Sequence, residues 1–439
     1  MIKHTLLFLL FCGFLSTDAS AQQSCDPKSS AYNKLACEIP VITTAAQGTT
    51  GNPAGAFGSS FATQLGQLPL LSSGSGVVLT LDKTLGVYVA SENLGPILTD
   101  RAQTIGRHKL LVAFAYQKFV FNNIDGTNLN NVPFVFAVGS GTLNPSQPCT
   151  STNNVNIICL SEPNDRISMN VSQYVALATF GLDAKTDVSV VVPFERVAIG
   201  VYATGKQYFI SGNNTAEGPP ASFISYASGS ASGVGDVYAN IKRLIWSGSD
   251  EKAHLSAGLF VRFPTGDALN YLGSGAYGFD PYAVFAYQAN RISPHARVGY
   301  QFNTSTVLIP NFKPDGTFTG NSNLPGGVQY DIGADAVLFK KVPTTVAGDF
   351  LGNYIVNAHV LAPGTVTVSG YNTLPPPNNV PDQKTLIPAI NSYNSAQLSI
   401  GLKVKPWRDL ILYGNVLFQL NNVGLRSEPV PLVGVSYTF

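Results

Sequence analysis

Charge is scarce in this chain. Charged residues are 12% of its 439 residues, against about 25% in ordinary soluble proteins. Apolar residues do not make up the difference: at 45% they are at an ordinary level. This pairing is unusual for a soluble enzyme and suits a barrel whose strands face lipid on one side and water on the other. Lys and Arg form no run or stripe and the net charge is +1, which argues against a nucleic-acid partner. Beyond the first residues, no stretch reaches the ~18 continuous apolar residues of a membrane helix. If the chain enters a membrane, it must cross with strands. No GxSxG, HExxH or phosphate-binding glycine motif occurs, and the glycine-rich stretches read as turns and loop tips. Of the five histidines, His4 lies in the first residues and His359 in an expected external loop. His108, His254 and His295 stand singly on expected strands. No cofactor or metal is expected, and the chain does not read as an enzyme.

What is present begins with an export signal. Lys3 and His4 precede an apolar core from Thr5 to Leu15, and Ala19-Ser20-Ala21 has the form of a cleavage site. Residues 1–21 are therefore expected to be a removed leader. Cys12 lies inside it, leaving Cys25, Cys37, Cys149 and Cys159. Four thiols allow three pairings; local pairing, Cys25 with Cys37 and Cys149 with Cys159, is the simplest in an oxidising compartment. A zinc site is the competing reading, although no CxxC or nearby His accompanies either pair.

From about residue 107 an alternating segment, a turn, a second alternating segment and a polar stretch recur. Leu255, Ala257, Leu259, Val261 and Phe263 alternate with His254, Ser256, Gly258, Phe260 and Arg262, the period of a strand with two different faces. A soluble sandwich also alternates, but its strands usually run ~5–6 residues, whereas tilted membrane strands need ~9–11. Twelve such segments are expected, near 107–121, 166–181, 186–201, 234–246, 253–266, 279–290, 294–303, 328–339, 343–354, 396–406, 409–421 and 430–439. Their connections alternate short and long, the asymmetry of tight periplasmic turns and long external loops. The expected fold is all-β, an antiparallel transmembrane barrel over 107–439. A hairpin in Val77–Leu81 and Gly86–Ser91 would raise the count to fourteen.

The last segment fits independently. Val433, Val435, Tyr437 and Phe439 are apolar at every second position, like the terminal strand that the barrel-assembly machinery reads. Val435, Tyr437 and Phe439 are the expected assembly signal, which places the chain in the bacterial outer membrane with its lipid as a partner. Aromatic clusters at Phe114, Tyr116, Phe119 and Phe121, at Tyr282, Phe285 and Tyr287, and at Tyr300 and Phe302 read as interfacial girdles or as ordinary core.

Residues 22–106 differ. Small and polar residues dominate 46–76, and Ser59 to Leu71 could form a short helix with Phe61, Leu65 and Leu68 on one side. The segment reads either as a periplasmic extension or as a plug entering the barrel. Strand phase assigns Asp236, Asn240, Lys242, Arg262, His295, Arg297, Gln301, Asp331, Asp335, Lys403 and Lys405 to the lumen. Any barrel requires charges to face inward, because Arg or Lys at the lipid midplane costs ~2–4 kcal/mol. A salt-bridged polar interior and a transport path therefore both remain open. Asp236 and Asp280 are placed to bond loop amides or to pair with Arg262.

Gly233-Val234-Gly235-Asp236 followed by Lys242, then Phe263-Pro264-Thr265-Gly266-Asp267, then Leu272-Gly273-Ser274-Gly275 ahead of Phe279-Asp280-Pro281 form an ordered set. Over about 233–303 this order resembles the outer-membrane barrels of the MetA-pathway of phenol degradation family. The resemblance implies an uptake channel with a small apolar or aromatic ligand. A structural or surface-interaction barrel, meeting a partner through loop 122–165, is the second reading, and an enzyme built from dispersed residues the third.

Overall fold

The computed structural model describes residues 34–36, 60–63, 65, 68, 79–82, 87–90, 93–133, 136–138, 158–161, 164–210, 221–289, 291–312, 318–339, 341–366 and 383–439. The leader expected over 1–21 lies outside them, as do Cys25, Cys37 and Cys149; of Cys159 only the backbone is described.

Twelve antiparallel strands form a closed barrel. They are β1 (Leu110–Ile124), β2 (Asn164–Gly181), β3 (Thr186–Ile210), β4 (Ala221–Val234 continuing as Val237–Ser247), β5 (Ala253–Phe263), β6 (Gly278–Tyr287), β7 (Ile292–Asn303), β8 (Gly327–Phe339), β9 (Thr344–Val366), β10 (Gln383–Trp407), β11 (Leu410–Gln419) and β12 (Val430–Thr438). Closure runs between β12 and β1, from Leu432 opposite Gln117 to Thr438 opposite Leu111. Phe439 and Leu110 then exchange both backbone hydrogen bonds. Closure removes every unpaired edge, the condition for strands to span lipid. The hairpin of Leu79–Asp82 with Val87–Ala90 pairs only with itself and adds nothing to the wall, so the fourteen-strand alternative does not form.

The connections alternate as the spacing predicts. Segments 182–185, 248–252, 288–291, 340–343 and 408–409 are short and share one end with Phe439. The other end carries the longer connections, one of which folds as its own hairpin (Ser305–Phe312 with Phe318–Asn323).

Two expectations about these longer connections need correction. β3, β9 and β10 run 25, 23 and 25 residues, well past a membrane's width. The expected loops 202–233 and 355–395 are therefore largely strand, and His359 lies on β9. Outside lipid a strand needs only its ladder partner and no apolar outer face, so polar Ser, Thr and Asn residues continue the pairing. In loop 122–165, Phe136–Val138 pairs with Ile158–Ser161, which in turn pairs with the end of β3. His108 sits in the turn before β1, at φ 58.

Outward residues form an apolar belt that includes Phe114, Phe194, Ile241, Leu259, Phe285, Val298, Ile332, Ile400 and Val433. The aromatic clusters split across this wall. Phe114 and Tyr116 face out while Phe119 and Phe121 are buried inside, because residues an odd number apart occupy opposite faces. Tyr282 also faces in, donating from its hydroxyl to Asn240 at 2.9 Å. Replacing outward Ile332 by Arg is expected to cost ~2–4 kcal/mol, read from urea unfolding in lipid vesicles.

Candidate functional site

The lumen is not an empty pore. Asn93 to Ile105 cross it at the short-turn end, and Leu94, Ile97, Ala102 and Ile105 are fully buried there. No ladder pairs this segment with the wall. Side chains from six strands hydrogen-bond to it instead, because strand alternation turns every second wall residue inward.

Two wall lysines grip its backbone. Lys403 on β10 donates to the carbonyls of Leu94 (3.2 Å) and Pro96. Lys242 on β4 donates to the carbonyl of Arg101 (3.0 Å). Both lysines are completely buried. Ser256 on β5 donates to the Ala102 carbonyl. The Ile105 amide donates to Asp187 on β3 (3.0 Å) and the Leu94 amide to Thr345 on β9 (3.0 Å). Asn93 donates to Ser293 on β7 (2.8 Å) and, more weakly, to the Asp335 carbonyl on β8 (3.5 Å). Ile97 packs where β10 carries Gly401; a Cβ there would overlap the Ile97 side chain.

His295 on β7 joins wall and segment. Its Nε2 lies 2.8 Å from Asp349 Oδ1 and its Nδ1 3.3 Å from Asp335 Oδ1. The Thr99 hydroxyl donates to Asp349 (3.0 Å) and lies 2.8 Å from the same imidazole nitrogen. Next to it, Arg297 pairs with Asp280, lies 3.6 Å from Asp331 and stacks 4.7 Å over the Tyr282 ring. Asp280 thus partners Arg297 rather than Arg262. The expectation of Arg262 as partner fails because its guanidinium is taken up by Asp236, the Ala276 carbonyl and Asn303.

Asp236 and Arg262 hold the connection 264–277 folded into the barrel mouth. The Asp236 carboxylate accepts the Ser274 amide (2.8 Å), the Ser274 hydroxyl (2.6 Å) and the Gly266 amide (3.2 Å). Arg262 lies 3.8 Å from Asp236 and donates to the Ala276 carbonyl (3.2 Å) and to Asn303 (2.7 Å). The ordered GxGD, PTGD and LGSG elements therefore form one hydrogen-bonded unit across β4, β5 and the connection to β6. Lys405 stands apart, half-buried at the short-turn rim and paired with Asp409 at 3.0 Å. Val435 and Tyr437 are half-buried and Phe439 exposed, on the strand face opposite buried Ser436 and Thr438; the Tyr437 and Phe439 rings are 4.6 Å apart.

Sequence reasoning passed over several luminal groups. Gln117, Gln173 and Glu195 form a buried chain across β1 to β3, with Gln173 donating to Glu195 at 2.7 Å. Their strand phase points them inward, but Lys118, Ser172 and Arg196 stand beside them on the outward face, so polarity there does not mark one face. Thr99 and Arg101 lie on the luminal segment, where no alternation marks them.

On the β1–β3 side, the outer half of the lumen is apolar. Phe119 and Phe121 of β1, Ile167 and Met169 of β2, and Val197, Ile199 and Val201 of β3 cluster there with Tyr271 and Leu272. Helical residues Ser60 to Thr63 and Leu65 lie among them. Farther out, Lys34 pairs with Asp267 at 2.7 Å. The Asp125 carboxylate ties this level together, accepting the Ser60 hydroxyl (3.3 Å) and the amides of Leu361 (2.8 Å) and Gly424 (3.0 Å). Burial raises the Asp125 pKa, and these amide and hydroxyl donors with nearby Arg426 oppose the rise.

Residues 165–322 match the family model described as "Putative MetA-pathway of phenol degradation". No curated protein matches the chain. Similar solved structures include an outer membrane channel from Pseudomonas putida F1 (11% identity, TM-score 0.43, 77% of this chain and 98% of that one). A FadL homologue from Pseudomonas aeruginosa (9% identity, TM-score 0.30, 76% and 90%) is another. A third is a TodX mutant described as a monoaromatic hydrocarbon channel (10% identity, TM-score 0.26, 77% and 92%).

Proposed function

We propose that the chain is an outer-membrane channel for small hydrophobic or aromatic compounds, with residues 22–106 acting as a plug inside the barrel and residues 1–21 as a leader removed on export. One observation carries the reading. The wall closes without the segment inside it, and the segment is held by side-chain hydrogen bonds rather than by a ladder. A barrel serving only as a scaffold can fill a narrow interior with its own wall side chains. A filling that can come loose suits a path that opens. The apolar outer half supports an apolar cargo, and the family match supports the same class. This is a channel reading and assigns no catalytic step.

Proteoliposomes carrying the full-length protein are expected to take up a small aromatic compound faster than protein-free vesicles. Equal uptake would reject transport and leave a structural or surface-interaction barrel. Val435, Tyr437 and Phe439 are read as the signal for the assembly machinery. Replacing Tyr437 and Phe439 together by Ser is expected to lower the folded, heat-modifiable fraction in outer membranes; an unchanged fraction would remove that role.

A further inference from the structure

Only the outer face of a membrane barrel has to be apolar; the inner face is usually polar. On the β1–β3 side, the outer half of this lumen departs from that rule. Phe119, Phe121, Met169 and Ile199 project into it from consecutive strands, with Tyr271 closing one side. Phe61 lies in the same cluster, fully buried, with its ring 6.0 Å from that of Tyr271 at an interplanar angle of 60°. Ala62, Leu65 and Leu68 pack in the same cluster. Phe61 belongs to the luminal segment and not to the wall.

A void lined by aliphatic and aromatic side chains stays dry and accepts a benzene-sized guest. Phe61 places such a guest, its own phenyl ring, in the chamber. The neighbouring Ser60 places a hydroxyl donor on Asp125 at 3.3 Å. Two adjacent residues thus present a ring and a hydroxyl to an aromatic wall and a carboxylate. The chemistry that fits is uncharged, of one-ring size, and gains from a single hydroxyl.

We propose that the outer half of the lumen is a binding chamber for a small uncharged monoaromatic molecule, and that Phe61 occupies it as an internal stand-in which the ligand displaces. The proposal rests on the channel reading for its physiological sense, but it is tested by binding alone. When the ligand enters, Phe61 and Ser60 leave together.

The test uses the full-length protein in detergent micelles and 4-fluorophenol as probe, followed by fluorine NMR. Phe61→Ala is expected to bind the probe at least about tenfold more tightly than wild type, because the competing ring is gone and its space remains. Phe114→Ala, on the lipid face, is expected to bind as wild type does. A second variant keeps Phe61 in place: Ser60→Cys with Asp125→Cys, at positions already in side-chain contact. Oxidised, it is expected to lose probe binding; reduced, to regain part of it, the Asp125 carboxylate being absent, with wild type carried through the same redox steps as control. The proposal is overturned if Phe61→Ala binds no tighter than wild type, if Phe114→Ala gains as much, or if the oxidised and reduced double variant bind alike. Flux of the same probe into liposomes separates the two readings. Flux without these binding changes would sink the chamber and leave the channel; the binding changes without flux would do the reverse.

Discussion

A variant lacking residues 22–105 is expected to form the same twelve-stranded wall and to conduct ions at least about tenfold more than the full-length protein, since conduction depends on what lines and blocks the pore. The wall's ladder runs from β1 to β12 without a contribution from Asn93–Ile105. Removing the segment therefore breaks no pairing of the wall. It does strip Lys403 and Lys242 of their carbonyl acceptors and Asp187 of the Ile105 amide. Those groups are tolerable once water enters, because an exposed lysine or carboxylate loses the burial cost that made a partner necessary.

Water entry also exposes the charge balance of the lumen. Among the described residues the buried wall acids are Asp187, Glu195, Asp236, Asp280, Asp331, Asp335 and Asp349, against Lys242, Arg262, Arg297, Lys403 and Arg426 with His295. The acids outnumber the bases even with His295 charged, so the opened pore should prefer cations. Planar-bilayer conductance and the reversal potential in a salt gradient measure both points. A variant that folds and stays closed would show that the wall side chains alone fill the lumen. An anion preference would show that these acids do not face the path.

Asp236→Ala is expected to be the most destabilising single substitution in the wall, at about 3–5 kcal/mol, the usual cost of stranding one member of a buried ion pair. Asp236 and Arg262 are both almost fully buried, at 5% and 1% side-chain exposure. The carboxylate also accepts two backbone amides and a hydroxyl from the connection 264–277, and Ala supplies no acceptor for any of them. Asp236→Asn keeps one oxygen acceptor and should lose distinctly less. The Asp236→Ala/Arg262→Ala pair should cost less than the two single losses added, because it leaves no lone charge. Urea unfolding in vesicles gives the energies. Protease cleavage near Tyr271, buried in the intact protein, would show the connection released. An Asp236→Ala protein as stable as wild type would mean that the GxGD and LGSG elements are turn geometry only.

The wall was readable because its signal is local. Lipid demands an apolar residue at every second position, and Leu255 to Phe263 or Leu398 to Val404 meet that demand within a few residues. The alternation of short and long connections then fixes the strand count. The same rule weakens in β1 to β3, where Leu111, Ala113 and Ala115 face inward and are as apolar as their outward neighbours. There the interior is packed protein, so polarity no longer distinguishes the faces. The overhanging ends of β3, β9 and β10 were read as loops for a related reason: beyond the bilayer no lipid imposes a pattern.

The sequence by itself determined that the chain builds a twelve-stranded barrel and which of its charges can avoid lipid. Each of those facts follows from a two-residue period and a solvent boundary. Only the tertiary structure decided what the inward groups hold. Lys403 meets the carbonyls of Leu94 and Pro96 from more than three hundred residues away, and Phe61 meets Tyr271 from another distant segment. A backbone carbonyl carries no side-chain identity, and a luminal segment without strand pairing has no period. Its partners are chosen by closure of the wall around it, which no local pattern records.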